Sequence, residues 1–136
     1  MGPTKFKLLV CLFILSGSTI AQATCLTSVS EINANGIKAS WQETTENDGK
    51  PLTIVITDGA NGLVYSASKA GKLWLTGEAS VCRSGNATKI TLSNTKATGN
   101  VPMLARMALP STQSADIVNG QIKLAGAAWG GTFVGR

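Results

Sequence analysis

Carboxylates are the side chains with which this chain could do acid–base chemistry, because the sequence contains no histidine. Histidine-based serine and cysteine triads are therefore excluded, and the commonest ligand of catalytic zinc is missing. A pair of carboxylates can hydrolyse a glycosidic bond, but Glu46, Asp48 and Asp58 lie in turn-like segments where acids are ordinary. Glu78 is the strongest candidate, because it falls within a predicted strand. We predict a non-enzymatic protein with no catalytic residues, no metal site and no cofactor.

Tryptophans are the other side chains from which a binding site is expected. In "KLWLTGEAS" (72–80), Trp74 alternates with polar residues and shares their face with Glu78, whereas Trp129 is flanked by small residues in "AGAAWGGTF". An exposed indole can bind sugar rings, acyl chains or a partner protein. We predict Trp74, Trp129 and Glu78 as ligand-binding residues. The alternatives are that a loop covers Trp74, that Trp129 is a core residue, and that Glu78 lies on a solvated strand face; Trp41 is expected in the core.

The first 23 residues have the features of an export signal. Lys5 and Lys7 precede the apolar run "LLVCLFILSGSTI", and Ala21-Gln22-Ala23 supplies the small residues that a signal peptidase requires. The run is shorter than the roughly 20 residues of a transmembrane helix. We therefore predict a signal peptide at 1–23, a single domain at 24–136, a periplasmic or secreted location and no membrane span after cleavage. The alternative is an uncleaved N-terminal anchor.

Cleavage after Ala23 leaves two cysteines, Cys25 and Cys82. An even number of cysteines in an exported chain indicates a disulfide. A lipid anchor on Cys25 is disfavoured, because Thr24 occupies the place where a lipoprotein signal has a small residue. We predict a Cys25–Cys82 disulfide, with a lipid anchor or two free thiols as the alternatives.

The elements that must position these residues show a period of two, which is typical of half-buried antiparallel strands. Strands are predicted at 36–44, 52–57, 63–68, 72–82, 87–94, 121–126 and 131–136. Within 72–82, Leu73, Leu75, Ala79 and Val81 are expected to face the core. Three Asn-Gly and two Asp-Gly pairs supply residues that tolerate tight hairpin turns.

The segment "VPMLARMAL" (101–109) fits either a strand or a helix, and we favour a strand because apolar residues alternate along it. The fold class that follows is all-β. We predict a small antiparallel meander barrel or β-sandwich of about seven to nine short strands with one disulfide, and no helix longer than about three turns.

Net charge gives little indication of a partner. Without Lys5 and Lys7, the formal net charge of +5 falls to +3, and the basic residues are scattered. Nucleic-acid binding is therefore not expected. The leading hypothesis is an exported, non-enzymatic binding protein of the bacterial envelope that binds a small apolar or lipid-like ligand. The alternative is a secreted protein–protein interaction module, such as an enzyme inhibitor.

Overall fold

The computed structural model describes residues 23–44, 50–125 and 131–136. Nine strands and two short helices lie within these ranges. They are, in chain order, β1 (Thr24–Leu26), α1 (Val29–Ala34), β2 (Ser40–Glu43), β3 (Leu52–Gly59), β4 (Gly62–Lys69), β5 (Lys72–Ser84), β6 (Ala87–Ala97), α2 (Met103–Met107), β7 (Gln113–Asp116), β8 (Gln121–Leu124) and β9 (Gly131–Gly135). The prediction of an all-β fold without a long helix is confirmed for the described residues.

The strands form one antiparallel sheet with the order β7-β6-β5-β4-β3-β2-β9-β8. Strands β3 to β7 are a meander, and β2 joins this meander to β9. The sheet curls until β7 and β8 lie side by side, which gives a nearly closed barrel. Strand β1 pairs with the last third of β5, on the same side as β4. The 13-residue β5 therefore contacts three strands.

Gln113 joins β7 to β8, the two strands at the ends of the sheet order. Its side-chain amide donates to the Ala125 carbonyl at 2.7 Å, and its side-chain oxygen accepts from the Ala125 amide. The carboxamide thus provides the donor and acceptor that a paired backbone residue would provide. We call this contact the seam.

The inward-facing side chains form a continuous apolar core. The period of two that the sequence indicated is present in β3, β4 and β6, where the inward-facing Ile54, Ala67 and Ile90 are at most 1% exposed. Trp41 is buried as predicted, and its Nε1 donates to the Lys38 carbonyl at 3.1 Å. The fully buried side chains with the largest volumes are Trp41, Phe133, Ile32, Leu52, Ile54, Ile56, Leu75, Ile90, Leu92, Ile122 and Val81. Side chains therefore fill the interior between the described strands.

Tyr65 reaches the core from β4 because Gly77 leaves space for its ring. A Cβ at Gly77 would lie 2.6 Å from Tyr65 Cε1 and 2.6 Å from the Ser93 carbonyl oxygen. The Tyr65 hydroxyl shares a hydrogen bond of 2.5 Å with Thr95 Oγ1. Burial raises the pKa of Tyr65, and the Thr95 contact partly opposes this rise.

Two-residue turns close several of the hairpins. Asn119 and Gly120 both have positive φ, at 53° and 73°, between β7 and β8. In the β4–β5 hairpin this conformation is adopted by Ala70 and Gly71, at 53° and 78°. Positive φ at both central positions matches the right-handed twist of the flanking strands. The Asn119-Gly120 turn was predicted, whereas Ala70 lacks the usual residue type; the predicted Asp48-Gly49 turn lies outside the described residues.

Cys25 and Cys82 form the predicted disulfide. They are directly opposite each other in the β1–β5 ladder, with Cα atoms 3.9 Å apart. Their neighbour Val81 points into the core, so Cys82 lies on the outer face of the sheet. The disulfide consequently attaches β1 to the outside of the barrel.

Helix α1 covers one end of the barrel, which we call the α1 end. Ser28 caps it by accepting a hydrogen bond from the Glu31 amide at 3.1 Å. The Glu31 carboxylate in turn accepts from the Thr27 amide at 2.6 Å and from its hydroxyl at 3.1 Å. Ile32 is fully buried in the core, so one side chain of this six-residue helix anchors it to the barrel.

Helix α2 lies at the other end, the α2 end, where the sequence favoured a strand. That prediction was wrong: Met103–Met107 is helical. Its five residues are good helix formers, and Pro102 precedes the first turn, where a missing N–H has no cost. The alternating apolar residues are not an inward-facing strand face, because Met103 and Met107 are 66% and 77% exposed.

The predicted signal peptide, residues 1–23, lies outside the described ranges apart from Ala23. Among the helices that the structure describes, none is both long and apolar enough to cross a lipid bilayer.

Candidate binding surface

Trp74 is displaced from regular alternation by a β-bulge. In the β4–β5 ladder Ala67 is opposite Leu75, but Ser68 is opposite Leu73, so Trp74 is the extra residue. Leu75 remains fully buried, whereas Leu73 is 41% exposed. The prediction that Leu73 faces the core was therefore wrong, because the bulge at Trp74 breaks the alternation between Leu73 and Leu75.

The Trp74 side chain is half-buried and packs against the edge of the core. It is more accessible than Trp41, as the alternation pattern indicated. The Lys69 ammonium lies 5.0 Å from the centre of the indole ring, within the range of a cation–π interaction. Trp74 thus combines an apolar surface with an adjacent positive charge at the α2 end.

A shallow, open cavity of about 240 Å³ adjoins this indole. Its lining consists of Lys50, Lys69, Ala70, Lys72, Trp74 and Asn100. Three of these residues are lysines, so the depression is basic. Its size and openness suit a small polar or anionic group rather than an enclosed apolar molecule.

Three hydrogen bonds hold the segment after β6 against the start of β5. Thr98 Oγ1 and Asn100 Nδ2 both donate to the Leu73 carbonyl, at 2.6 Å and 2.9 Å. The Thr98 amide donates to the Trp74 carbonyl at 2.9 Å. Val101, one residue later, is 1% exposed. This attachment fixes the start of α2 beside the bulge.

Helix α2 turns most of its apolar side chains away from the barrel. Leu104 is 80% exposed, and Met103 and Met107 flank it, whereas Ala105 packs against the core. Leu73 is also exposed, and its carbonyl is bonded to Thr98 and Asn100 just before α2. We call these four exposed apolar residues the crest: Leu73, Met103, Leu104 and Met107. On α2, Met107 is four residues after Met103 and three after Leu104, so these side chains occupy neighbouring positions of the helix surface. Exposed apolar groups of this kind mark interaction sites.

Basic residues accompany the crest. Lys69 and Lys72 flank the β4–β5 turn, and Arg106 lies on α2 itself. We call these three residues the basic rim. Strand directions place most acidic residues that the structure describes away from the α2 end. Glu43 lies there, but it is 5% exposed and accepts a hydrogen bond from the Leu52 amide at 3.1 Å.

Glu78 does not join Trp74 in one site. It lies further along β5, opposite Val64 and Ser93, and lines outer depressions beside the β3–β4 hairpin. Trp129 lies outside the described residues. The structure therefore leaves Trp74 as the predicted residue associated with the crest.

Sequence reasoning missed the crest. Its signal was present in "VPMLARMALP", where Pro102 and Pro110 enclose good helix formers. Interpreting the segment as a strand assigned its methionines to the core, although a five-residue helix on the surface exposes them.

Within the described ranges, no group of three or more cysteine or acidic residues could hold a metal ion. No protein-family model, curated protein or solved structure matches this chain.

Proposed function

We propose that this chain is an exported, non-enzymatic binding protein of the bacterial envelope that binds an apolar, lipid-like ligand on its outer surface. The observation that carries the proposal is the contrast between the interior and the α2 end. Side chains fill the interior, whereas Leu104, Met103 and Met107 are 80%, 66% and 77% exposed. The crest, rather than a lumen, is the apolar surface available to a ligand.

Export is supported by the signal-like segment at 1–23 and by the Cys25–Cys82 disulfide, since disulfides persist in oxidising compartments. The intact mass of the protein recovered from the periplasm or medium tests this part. A mature chain that begins at Thr24 is expected. A chain that retains residues 1–23 would contradict it.

Native mass spectrometry with monomeric decanoate as the probe tests ligand binding. We expect decanoate adducts on the wild-type protein and their loss in the L104S/M107S variant, because serine removes the apolar contact. V118S is the matched control, since Val118 is 60% exposed but lies in the β7–β8 turn at the α1 end. The absence of adducts on the wild type, or equal adducts on L104S/M107S, would overturn the proposed ligand class.

A secreted protein–protein interaction module, such as an enzyme inhibitor, is the second candidate. The observation that favours it is the shape of the α2 end, where α2 projects and the adjoining depression is shallow and open. A projecting group fits into a partner more readily than it encloses a small molecule. A defined protein complex that is lost in L104S/M107S, without decanoate binding by the wild type, would favour this candidate.

A further inference from the structure

We propose that the α2 end docks on the surface of an anionic lipid bilayer, with the crest in the headgroup–acyl boundary and the basic rim against the lipid headgroups. This inference rests on the proposed function for the lipid-like nature of the ligand. It adds that the ligand is bound as part of a membrane surface and that its headgroups are negatively charged.

The orientation of α2 leaves most of its apolar side chains exposed. A surface helix usually buries its apolar side chains against the core. Here Ala105 packs against the core, while Met103, Leu104 and Met107 face outwards. A projecting apolar group can enter the interfacial region of a bilayer without a complementary groove in its partner. Trp74, beside the crest, has the amphipathic ring that is enriched at membrane interfaces.

The basic rim places positive charge beside the crest. Lys72 and Arg106 are exposed next to the crest, and Lys69 lies beside Trp74. Lysine and arginine side chains near an anionic membrane each strengthen binding about fivefold. Lys50 also lines the basic cavity, but Glu46 and Asp48 precede it in a segment outside the described residues. We therefore do not count Lys50 among the contributing charges.

The same charges disfavour a second copy of this chain as the occupant. A two-fold dimer through the crest would place the crest and basic rim of one copy against those of the other. Lys72 and Arg106 of one copy would then approach the same residues of the other. An anionic bilayer complements both the apolar crest and the positively charged basic rim.

Vesicle flotation with the mature protein tests the proposal. The probes are vesicles of phosphatidylcholine alone and vesicles of phosphatidylcholine mixed with phosphatidylglycerol. We expect flotation with the mixed vesicles, weakening as salt is added, because salt screens exposed charges. Partitioning should fall about thirtyfold in K72Q/R106Q, from two charges, and about tenfold or more in L104S/M107S. The matched control V118S/K89Q changes an apolar and a basic residue towards the α1 end and should bind as the wild type does.

Several outcomes would overturn the proposal. Equal binding to both vesicle types would show that docking does not depend on anionic headgroups. Unchanged binding by L104S/M107S would show that the crest does not contact the bilayer. Decanoate adducts without flotation would refute membrane docking while leaving the proposed function intact; failure of both assays would refute both. A wild-type dimer that becomes monomeric in L104S/M107S, seen by sedimentation, would assign the crest to self-association. Retention on immobilised polyglutamate without flotation would assign it to an acidic protein.

Discussion

At the scale of single residues, Gly77 has too little space for a side chain. An added Cβ would lie 2.6 Å from both the Tyr65 ring and the Ser93 carbonyl oxygen. Because backbone and a buried ring cannot move away easily, we expect Gly77→Ala to lower the free energy of unfolding by about 1–3 kcal/mol. Urea denaturation checks this value. Gly99→Ala is the matched control, since nothing lies within 4 Å of its Cβ position.

Trp74 and Trp41 are expected to respond differently to truncation. Trp41 is 1% exposed, and Trp41→Ala should cost about 3–5 kcal/mol, as is typical of a core aromatic. Trp74 is half-buried at a bulge, so Trp74→Ala should cost less while weakening binding at the α2 end. Chemical denaturation of the two variants compares them directly. Equal losses of stability would show that Trp74 is a core residue.

Side-chain alternation predicts individual residues well where the strands are regular. It correctly assigned Leu75, Ala79 and Val81 to the core. It was wrong for Leu73, because the bulge at Trp74 depends on pairing with β4, which a pattern within β5 does not contain. The local pattern also cannot show how α2 faces the barrel.

At the scale of elements, Glu31 gives α1 a dependence on pH. Hydrogen bonds from the Thr27 backbone and hydroxyl lower the pKa of Glu31 below 4.5. A carboxylate with a lowered folded-state pKa adds stability above its unfolded pKa, and this is lost as pH falls through the folded value. We therefore expect Glu31→Gln to reduce the loss of stability between neutral and acidic pH, measured by thermal unfolding.

Glu78→Gln is the control for this titration, because Glu78 lies on β5 and outside the α1 cap. It should retain the pH dependence that Glu31→Gln reduces. An unchanged pH profile in Glu31→Gln would contradict the assigned role of the cap.

The seam is tested by two substitutions at Gln113. Gln113→Ala removes both hydrogen bonds to Ala125 and should lower the free energy of unfolding by about 1–2 kcal/mol, or roughly two net hydrogen bonds. Gln113→Glu retains an acceptor but loses the donor when ionised, so it should also be destabilising. Urea denaturation measures both changes. If Gln113→Glu were as stable as the wild type, the donor to the Ala125 carbonyl would have no role in closure.

Elements with long alternating patterns were predictable, whereas three of the short ones, β1, β7 and α1, were missed. Strands β3 to β6 match their expected segments closely, but β1, β7 and α1 have only three, four and six residues. Such lengths contain too few repeats to establish a period. For α1, the Ser28–Glu31 spacing is a helix-start signature that would have indicated it.

At the scale of the whole molecule, the disulfide constrains the unfolded chain. It joins residues 57 positions apart, and loop-closure entropy gives a stabilisation of about 4 kcal/mol. We expect C25S/C82S to lose about this amount in urea denaturation at neutral pH. Reductant should lower the stability of the wild type to a similar value and leave the variant unchanged. Equal stability of oxidised and reduced wild type would contradict this expectation.

Fold class followed from the sequence, but barrel closure did not. Alternation and Asn-Gly turns predict many short antiparallel strands, and both a sandwich and a barrel satisfy them. The choice depends on contacts between strands distant in sequence, such as β2 with β9. It also depends on Gln113, which gives no local sign that it pairs with Ala125.

The seam also bears on how separate copies of the protein behave towards one another. β7 and β8 are the two ends of the strand order, and unpaired strand edges act as templates for pairing with other chains. By holding these two edges together, Gln113 prevents them from pairing with strands of neighbouring molecules. A molecule whose seam opens would present two fresh edges while the rest of its sheet stays folded. Aggregation of this protein is therefore expected to begin from a native-like state, with β7 of one copy adding to β8 of the next.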